Sequence, residues 1–331
     1  MADASPPRAV IVGTGHCVPD KVLTNAELSK TVDTTDEWIA QRTGIRERRI
    51  ARSDETAASL GSKAATRALQ AAKLEPKDLD LIICATVTPE MMLPSTACFI
   101  AHSLGLDSTP AYDMNAACSG FVYGLEQAAA FIHSGKYKNI LVIGSETLSR
   151  IVDWTDRSTC ILFGDGAGAA VMQAQHDTER GLLYTESHAD GGGWSILNCA
   201  VGSKNPISEK LIAAGGHFVH MKGREVFKFA VTKLDEVTDS TLANTGVHPD
   251  EIKLIVPHQM NRRIIDALTN RLGMSRDKAL VNIDRFGNTS AASIPIALDE
   301  AVQMGKIQEG DLILFLGVGA GLTWCSALVR M

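Results

Sequence analysis

Apolar residues in this chain gather into short unbroken runs. AVIVG (9–13), DLIICAT (80–86), NILVIG (139–144), LIVP (254–257) and LILFLG (312–317) lack the alternation of a half-exposed sheet. Continuous runs of this length predict strands covered by helices on both faces. Between them, apolar positions recur at helical spacing, as in ETAASLGSKAATRALQAAKL (55–74) and REVFKFAVTKLDEVTDSTLA (224–243). Strand and helix in alternation predict an α/β fold in which each sheet is sandwiched between helical layers.

The pattern occurs twice. LEPKDLDLII (74–83) matches VHPDEIKLIV (247–256), and the helical stretches that follow end in Leu104-Gly105 and Leu272-Gly273. PAYDMN (110–115) then matches ALVNID (279–284), each read as a strand, and AACSG (116–120) matches GNTSAAS (287–293). SGKYKNILVIGSE (134–146) matches MGKIQEGDLILFLGVG (304–319), with the offset held between 168 and 173 residues throughout. Ordered matches at a near-constant offset predict an internal duplication. The expected halves are βαβ-rich units at 1–175 and 176–331, joined at the polar stretch MQAQHDTERG (172–181). On this reading Cys118 holds, in the first half, nearly the place that Asn288 holds in the second. Two strand ends meeting across a pseudo-twofold axis form a crevice, where ligands bind in α/β folds.

Composition narrows the function classes. Hydrophobic residues make up 45% and charged residues 21%, and the net charge is −6. With a pI near 5.9, no general attraction to nucleic acid or an anionic membrane is expected. No apolar run approaches the ~20 residues of a spanning helix. The start, MADASPPRAV, has no signal-like region, so a cytoplasmic location is expected. The seven cysteines are scattered without metal-site spacing, which predicts free thiols and no bound metal.

Two glycine clusters raise a nucleotide-binding alternative. GDGAGA (164–169) satisfies G-x-G-x-x-A with Glu186 about 20 residues on. The residues that follow, AAVMQA, read as a strand and not as the helix this fingerprint must open. In GTGHCV (13–18) Val18 stands where the third glycine belongs. Tight turns and close packing account for both, and a nicotinamide-dependent oxidoreductase is the weaker reading.

Cys118 is the residue with most chemical promise. It precedes the helical stretch SGFVYGLEQAAAFIHSG (119–135). A helix N-terminus stabilises a thiolate by up to ~2 kcal/mol, or ~1.5 pKa units. The expected thiol pKa is therefore about 7, down from ~8.5. A thiolate is both nucleophile and leaving group, which suits an acyl carrier.

The chain resembles the β-ketoacyl-acyl-carrier-protein synthase III family from VIVGTGHCVPDKVLTNAEL (10–28) to GAGLTWCSALVR (319–330). Its five most specific blocks, in order, are DEWIAQRTGIRERR (36–49), NAACSGF (115–121), VDWTDRSTCILFGDGAGAA (152–170), PHQMNRRII (257–265) and GNTSAAS (287–293). The resemblance implies a thiolase-like fold, an α-β-α-β-α layered sandwich of two duplicated halves. It implies a homodimeric, cytoplasmic acyltransferase that opens fatty-acid synthesis without a cofactor. A short acyl group such as acetyl would pass from coenzyme A to Cys118. Decarboxylative condensation with malonyl-acyl-carrier protein would then give 3-ketoacyl-acyl-carrier protein. The alternative within the fold is a synthase or acyltransferase of secondary metabolism with another primer.

The resemblance also implies roles. His258 and Asn288 would donate hydrogen bonds to the enolate, and the backbone amides of Cys118 and Ala320 would form an oxyanion hole. Trp38 and Arg157 would sandwich the adenine of coenzyme A, with Arg42 on phosphate and Asn261 on pantetheine. Elongating relatives carry a second histidine where Asn288 stands. Thiolases carry a second cysteine in the glycine-rich stretch, and LGVGAGL (316–322) has none. Leu93 stands where many members carry Phe, which reaches into the partner subunit's acyl tunnel, and Met260 replaces the usual Ala. An acidic carrier would dock on Arg224, Lys228, Arg262, Arg263 and Arg271.

Overall fold

The computed structural model describes residues 6–331. Five strands form the first sheet, in the order Arg8–Cys17, Asp165–Gln175, Asn139–Thr147, Leu81–Ala85, Ala111–Met114. Four form the second: Ile252–Pro257, Leu312–Gly319, Thr323–Arg330, Gly181–Ala189. Within each sheet two apolar runs pair in parallel, Ile83 beside Val142 and Ile255 beside Leu314. Their side chains are buried on both faces, as unbroken apolar runs require.

Five layers result. Helices Gly120–His133 and Ser293–Gln303 lie between the sheets, with Phe121, Leu125, Ile294 and Leu298 packed against Ile83, Val142, Ile313 and Phe315. Ala57–Ala72 and Thr96–Ser103 cover the outer face of the first sheet. Gly223–Thr245 and Arg262–Arg271 cover that of the second. This is the α-β-α-β-α sandwich. Local sequence supports it: Thr56 and Ser59 close a reciprocal capping box on Ala57–Ala72, a device worth ~1 kcal/mol. The small residues Ala64 and Ala68 then admit the strand Arg8–Cys17 so closely that a Cβ on Gly13 or Gly15 would collide with helix backbone. GDGAGA opens the strand Asp165–Gln175, where Gly168 packs against Pro295 and Ile296. Both glycine clusters serve close packing.

One strand expected in ALVNID is reduced to a single bridge between Ala279 and Ile255, and a short helix, Ile283–Phe286, follows. The cause is Gln259. Its Oε1 accepts the amides of Asn282 (3.1 Å) and Ile283 (3.2 Å), drawing them away from a ladder.

The turns at the axis repeat with an offset of 173. Asn115 Oδ1 accepts Ala117 N–H (3.2 Å), and Asn288 Oδ1 accepts Ser290 N–H (2.8 Å). Ala117 (φ 47°) and Ser290 (φ 49°) both take the left-handed conformation, and each opens a 3-10 turn, Ala117–Ser119 and Ser290–Ala292. The counterpart of Asn288 is therefore Asn115, and that of Cys118 is Ala291. The expected Cys118–Asn288 correspondence is three residues out of register. The turns cross between halves: a Cβ on Gly144 would collide with the Ala291 carbonyl, and one on Gly317 would lie 3.3 Å from Ser119 Cα.

Candidate active site

The turn Ala117–Ser119 holds Cys118 at the start of the central helix, 8% exposed. A cavity of about 570 Å³ reaches it, and His258 and Asn288 line the same cavity. Gly319 makes the approach possible, since a Cβ there would lie 2.7 Å from the Cys118 amide nitrogen. Ala320 follows directly, and its carbonyl accepts the Thr323 hydroxyl (3.2 Å).

Each polar partner is aimed by a neighbour. The Asn288 Oδ1 is engaged by Ser290 N–H, which leaves the amide NH2 as the group free to face a ligand. His258 is 2% exposed and its backbone N–H donates to Leu316 O (2.8 Å). Its Nδ1 lies 2.6 Å from Ser293 Oγ, and burial lowers its pKa to about 3, so the ring is neutral. The Ser293 hydroxyl also accepts Gln259 N–H (3.4 Å). It can donate to Nδ1, with the ring proton on Nε2, or accept from Nδ1–H, which leaves Nε2 free.

The expected thiol pKa near 7 is not what the site produces. Burial pushes Cys118 up to about 12; Ser290 lowers it and the Glu146 charge raises it further. Desolvation is the largest effect on both groups, and the resting pair is a neutral thiol and a neutral imidazole. Glu146 went unnoticed in the sequence. It is fully buried, accepts bonds from Thr86 and Thr88 hydroxyls and from Val87 and Thr88 amides, and burial raises its pKa to about 7. Its signal was a charge ending the apolar run NILVIGSE. Ser293 was signalled by a hydroxyl at the start of a buried helix.

The residues expected to bind coenzyme A divide. Trp38, Arg42, Arg157 and Asn261 all line the cavity. Trp38 is 36% exposed, with the Arg157 guanidinium 5.0 Å and that of Arg42 5.4 Å from its ring centre. Arg157 thus lies on the indole itself, so a base sandwiched between them requires it to swing away. Both ends of the Asn261 amide are engaged: Oδ1 caps Arg263 N–H (2.9 Å), and Nδ2 donates to Arg42 O (3.1 Å).

Of the basic residues, Arg224 and Arg263 line the cavity, and Arg263 rests 5.5 Å from the Phe227 ring centre. Lys228 is exposed one helical turn beyond Arg224. Arg262 instead pairs with Asp266 (2.9 Å), and Arg271 with Asp235 (2.6 Å) and Asp239 (2.8 Å), so their charge is locally offset. Leu93 does not line this cavity; it is 81% exposed beside Met91 and Met92.

Two family models match: 3-oxoacyl-[acyl-carrier-protein] synthase III over residues 112–191 and its C-terminal part over 242–331. The chain is 50% identical over 323 residues to the β-ketoacyl-[acyl-carrier-protein] synthase III of Caldanaerobacter subterraneus, covering 97% of each. That of Desulfitobacterium hafniense (strain Y51) is 50% identical over 321 residues, again with 97% of each covered. The chain belongs to the β-ketoacyl-acyl-carrier-protein synthase III family. Among solved structures, the Aquifex aeolicus 3-oxoacyl-[acyl-carrier-protein] synthase III superposes with a TM-score of 0.91 at 49% identity, over 98% of this chain and 100% of that one. Family membership accounts for the full-length likeness and for the thiolase-like layering. Among the described residues no group of three or more His, Cys, Asp or Glu could hold a metal ion, and no helix is long and apolar enough to cross a membrane.

Proposed function

We infer that this synthase III condenses a short acyl-CoA with malonyl-acyl-carrier protein, giving 3-ketoacyl-acyl-carrier protein and initiating fatty-acid synthesis. The observation that carries the reading is one cavity lined by Cys118, His258 and Asn288, with Trp38, Arg42 and Arg157 on its walls.

In the first step Cys118 Sγ bonds to the acyl carbonyl and the coenzyme A sulfur leaves. Because Cys118 rests as a thiol, its proton must move during attack. His258 receives it at Nε2 while Nδ1–H donates to Ser293, and returns it to the departing thiolate. The amides of Cys118 and Ala320 stabilise the tetrahedral oxyanion. In the second step malonyl loses carbon dioxide, and negative charge collects on the thioester oxygen of the enolate. Nε2–H of His258, in the other tautomer, and the Asn288 NH2 stabilise it. The enolate carbon then attacks the acyl-cysteine and releases Cys118 as a thiolate, which takes up a proton from solvent to return to the resting thiol. The Ser293 hydroxyl, donor or acceptor, satisfies Nδ1 in both steps.

The enzyme acts as a homodimer. Three adjacent apolar side chains at 91–93 and the edge strand Ala111–Met114 are surfaces a second copy would cover. Leu93 then enters the partner's tunnel. Arg224, Lys228 and Arg263 are the strongest docking candidates for an acidic carrier. The free cysteines suit a reducing cytoplasm. Mass spectrometry after incubation with acetyl-CoA tests the reading: one acetyl on the Cys118 peptide, abolished by Cys118→Ala, is expected. Labelling of that variant at wild-type stoichiometry overturns it.

A further inference from the structure

Arg48 is the largest fully buried side chain among the described residues, at 0% exposure. Its hydrogen bonds go to neutral oxygens: Nη1 to Leu23 O (3.1 Å) and Asn25 Oδ1 (2.9 Å), Nη2 to Ile161 O (2.7 Å). Its Nε is buried without a partner. Burial lowers its pKa to about 10, which leaves it charged at neutral pH. A guanidinium kept in the interior on carbonyl oxygens alone is costly, and its contacts show what it holds.

Two connections lead out of it. Asn25 Nδ2 donates to Ile45 O (2.7 Å) and to Asp36 Oδ1 (2.8 Å), at the two ends of the helix Asp36–Thr43 that carries Trp38 and Arg42. On the other side, Ile161 begins the segment that aligns Asn288. Asn288 N–H donates to Leu162 O (2.8 Å), Gly164 N–H donates to Asn288 O (3.0 Å), and Phe163 and Asn288 form a parallel bridge. The Arg48 stem fills the space beside this bridge, where a Cβ on Gly164 or Gly287 would come within 3.2 or 3.3 Å of its own Cβ.

We propose that Arg48 is a positioning residue for Asn288: its guanidinium clamps the 161–164 backbone that fixes where the Asn288 amide enters the cavity. The proposal rests on the reading of Asn288 as an enolate donor. A misplacement of ~1 Å costs up to ~10²-fold in rate, so Arg48→Met should slow malonyl decarboxylation and condensation by ~10–100-fold. Acetyl transfer to Cys118 at saturating acetyl-CoA should stay near wild type, because Asn288 serves only the second step; any shift of the helix Asp36–Thr43 through Asn25 would raise the KM for acetyl-CoA alone.

The test is a double-mutant cycle on the full-length enzyme. Arg48→Met, Asn288→Ala and their combination are assayed for acetylation by acetyl-CoA and for condensation with malonyl-acyl-carrier protein. If Arg48 acts through Asn288, Arg48→Met adds no further loss in the Asn288→Ala background, and Arg48→Lys recovers part of the condensation rate. Equal slowing of both half-reactions, or losses that multiply, overturns the clamp and leaves Arg48 a structural residue. Should Arg48→Met fail to fold, Arg48→Lys carries the same cycle. Intact condensation by Asn288→Ala overturns the underlying reading; a sensitive Asn288 beside an insensitive Arg48 overturns the clamp alone.

Discussion

The turns Ala117–Ser119 and Ser290–Ala292 share a backbone and differ in what they carry. Each is closed by an asparagine, Asn115 or Asn288, and each crosses the axis to lie on a glycine of the opposite half's strand. Cys118, the proposed nucleophile, sits in the first turn, at the position the second gives to Ala291. The imidazole ends a second-half strand, where the first half has Ala85 at the same offset. Where the second half ends its strand on Gly319 and admits Cys118, the first half has Glu146, buried with Thr86 and Thr88 around it. The first half thus buries a carboxylate with its donors at this corner, and the cavity at Cys118 is lined from both halves.

Breaking the crossing should have the largest effect on the fold. The Cβ of Gly144→Ala would meet the Ala291 carbonyl, backbone that cannot step aside, so overpacking should cost ~3 kcal/mol or more. That of Gly317→Ala would meet Cys325 Sγ at 2.7 Å, a side chain able to shift, and should cost less. Thermal or urea unfolding of the two variants measures the order; a costlier Gly317→Ala would contradict the assignment of the two crossings.

A second test asks whether the loop at 91–93 belongs to a neighbouring copy's tunnel. Leu93→Phe should narrow it and cost long primers ~1–3 kcal/mol relative to acetyl-CoA. Kinetics with acyl-CoAs of increasing length read this directly; an unchanged profile removes residue 93 from the tunnel.

The smallest effect concerns the resting thiol. Its pKa is raised to about 12, so Cys118 is protonated at neutral pH. The thiolate fraction then rises tenfold per pH unit through pH 10. Iodoacetamide alkylation of Cys118 should climb over that whole range. A plateau above pH 7.5 would show that the helix dipole dominates after all.

Much of this was legible in the sequence because burial leaves a plain signature. Apolar runs marked five strands, and the match of ALVNID to PAYDMN, read as a further strand, is where the repeat misled. ALVNID failed as a strand because a single distant side chain, Gln259, takes two of its amides, and local pattern carries no trace of that. The register between Cys118 and Asn288 was missed by three residues because AACSG and GNTSAAS align on small residues, whereas the backbone aligns on the asparagines. The low pKa expected for Cys118 used the helix end, which sequence shows, and not the depth of burial, which it does not. Glu146 and Ser293 act only through neighbours brought in from elsewhere in the chain.

The central claim we propose is that the two steps divide the site: Cys118 carries the acyl group, and Asn288 serves only the enolate. Single-turnover measurement of the two half-reactions in Asn288→Ala tests it most directly. Loss of one preorganised donor should slow malonyl-carrier decarboxylation by ~10²–10³, while acetylation of Cys118 by acetyl-CoA continues near the wild-type rate. Equal loss of both half-reactions, or decarboxylation left intact, would contradict the account.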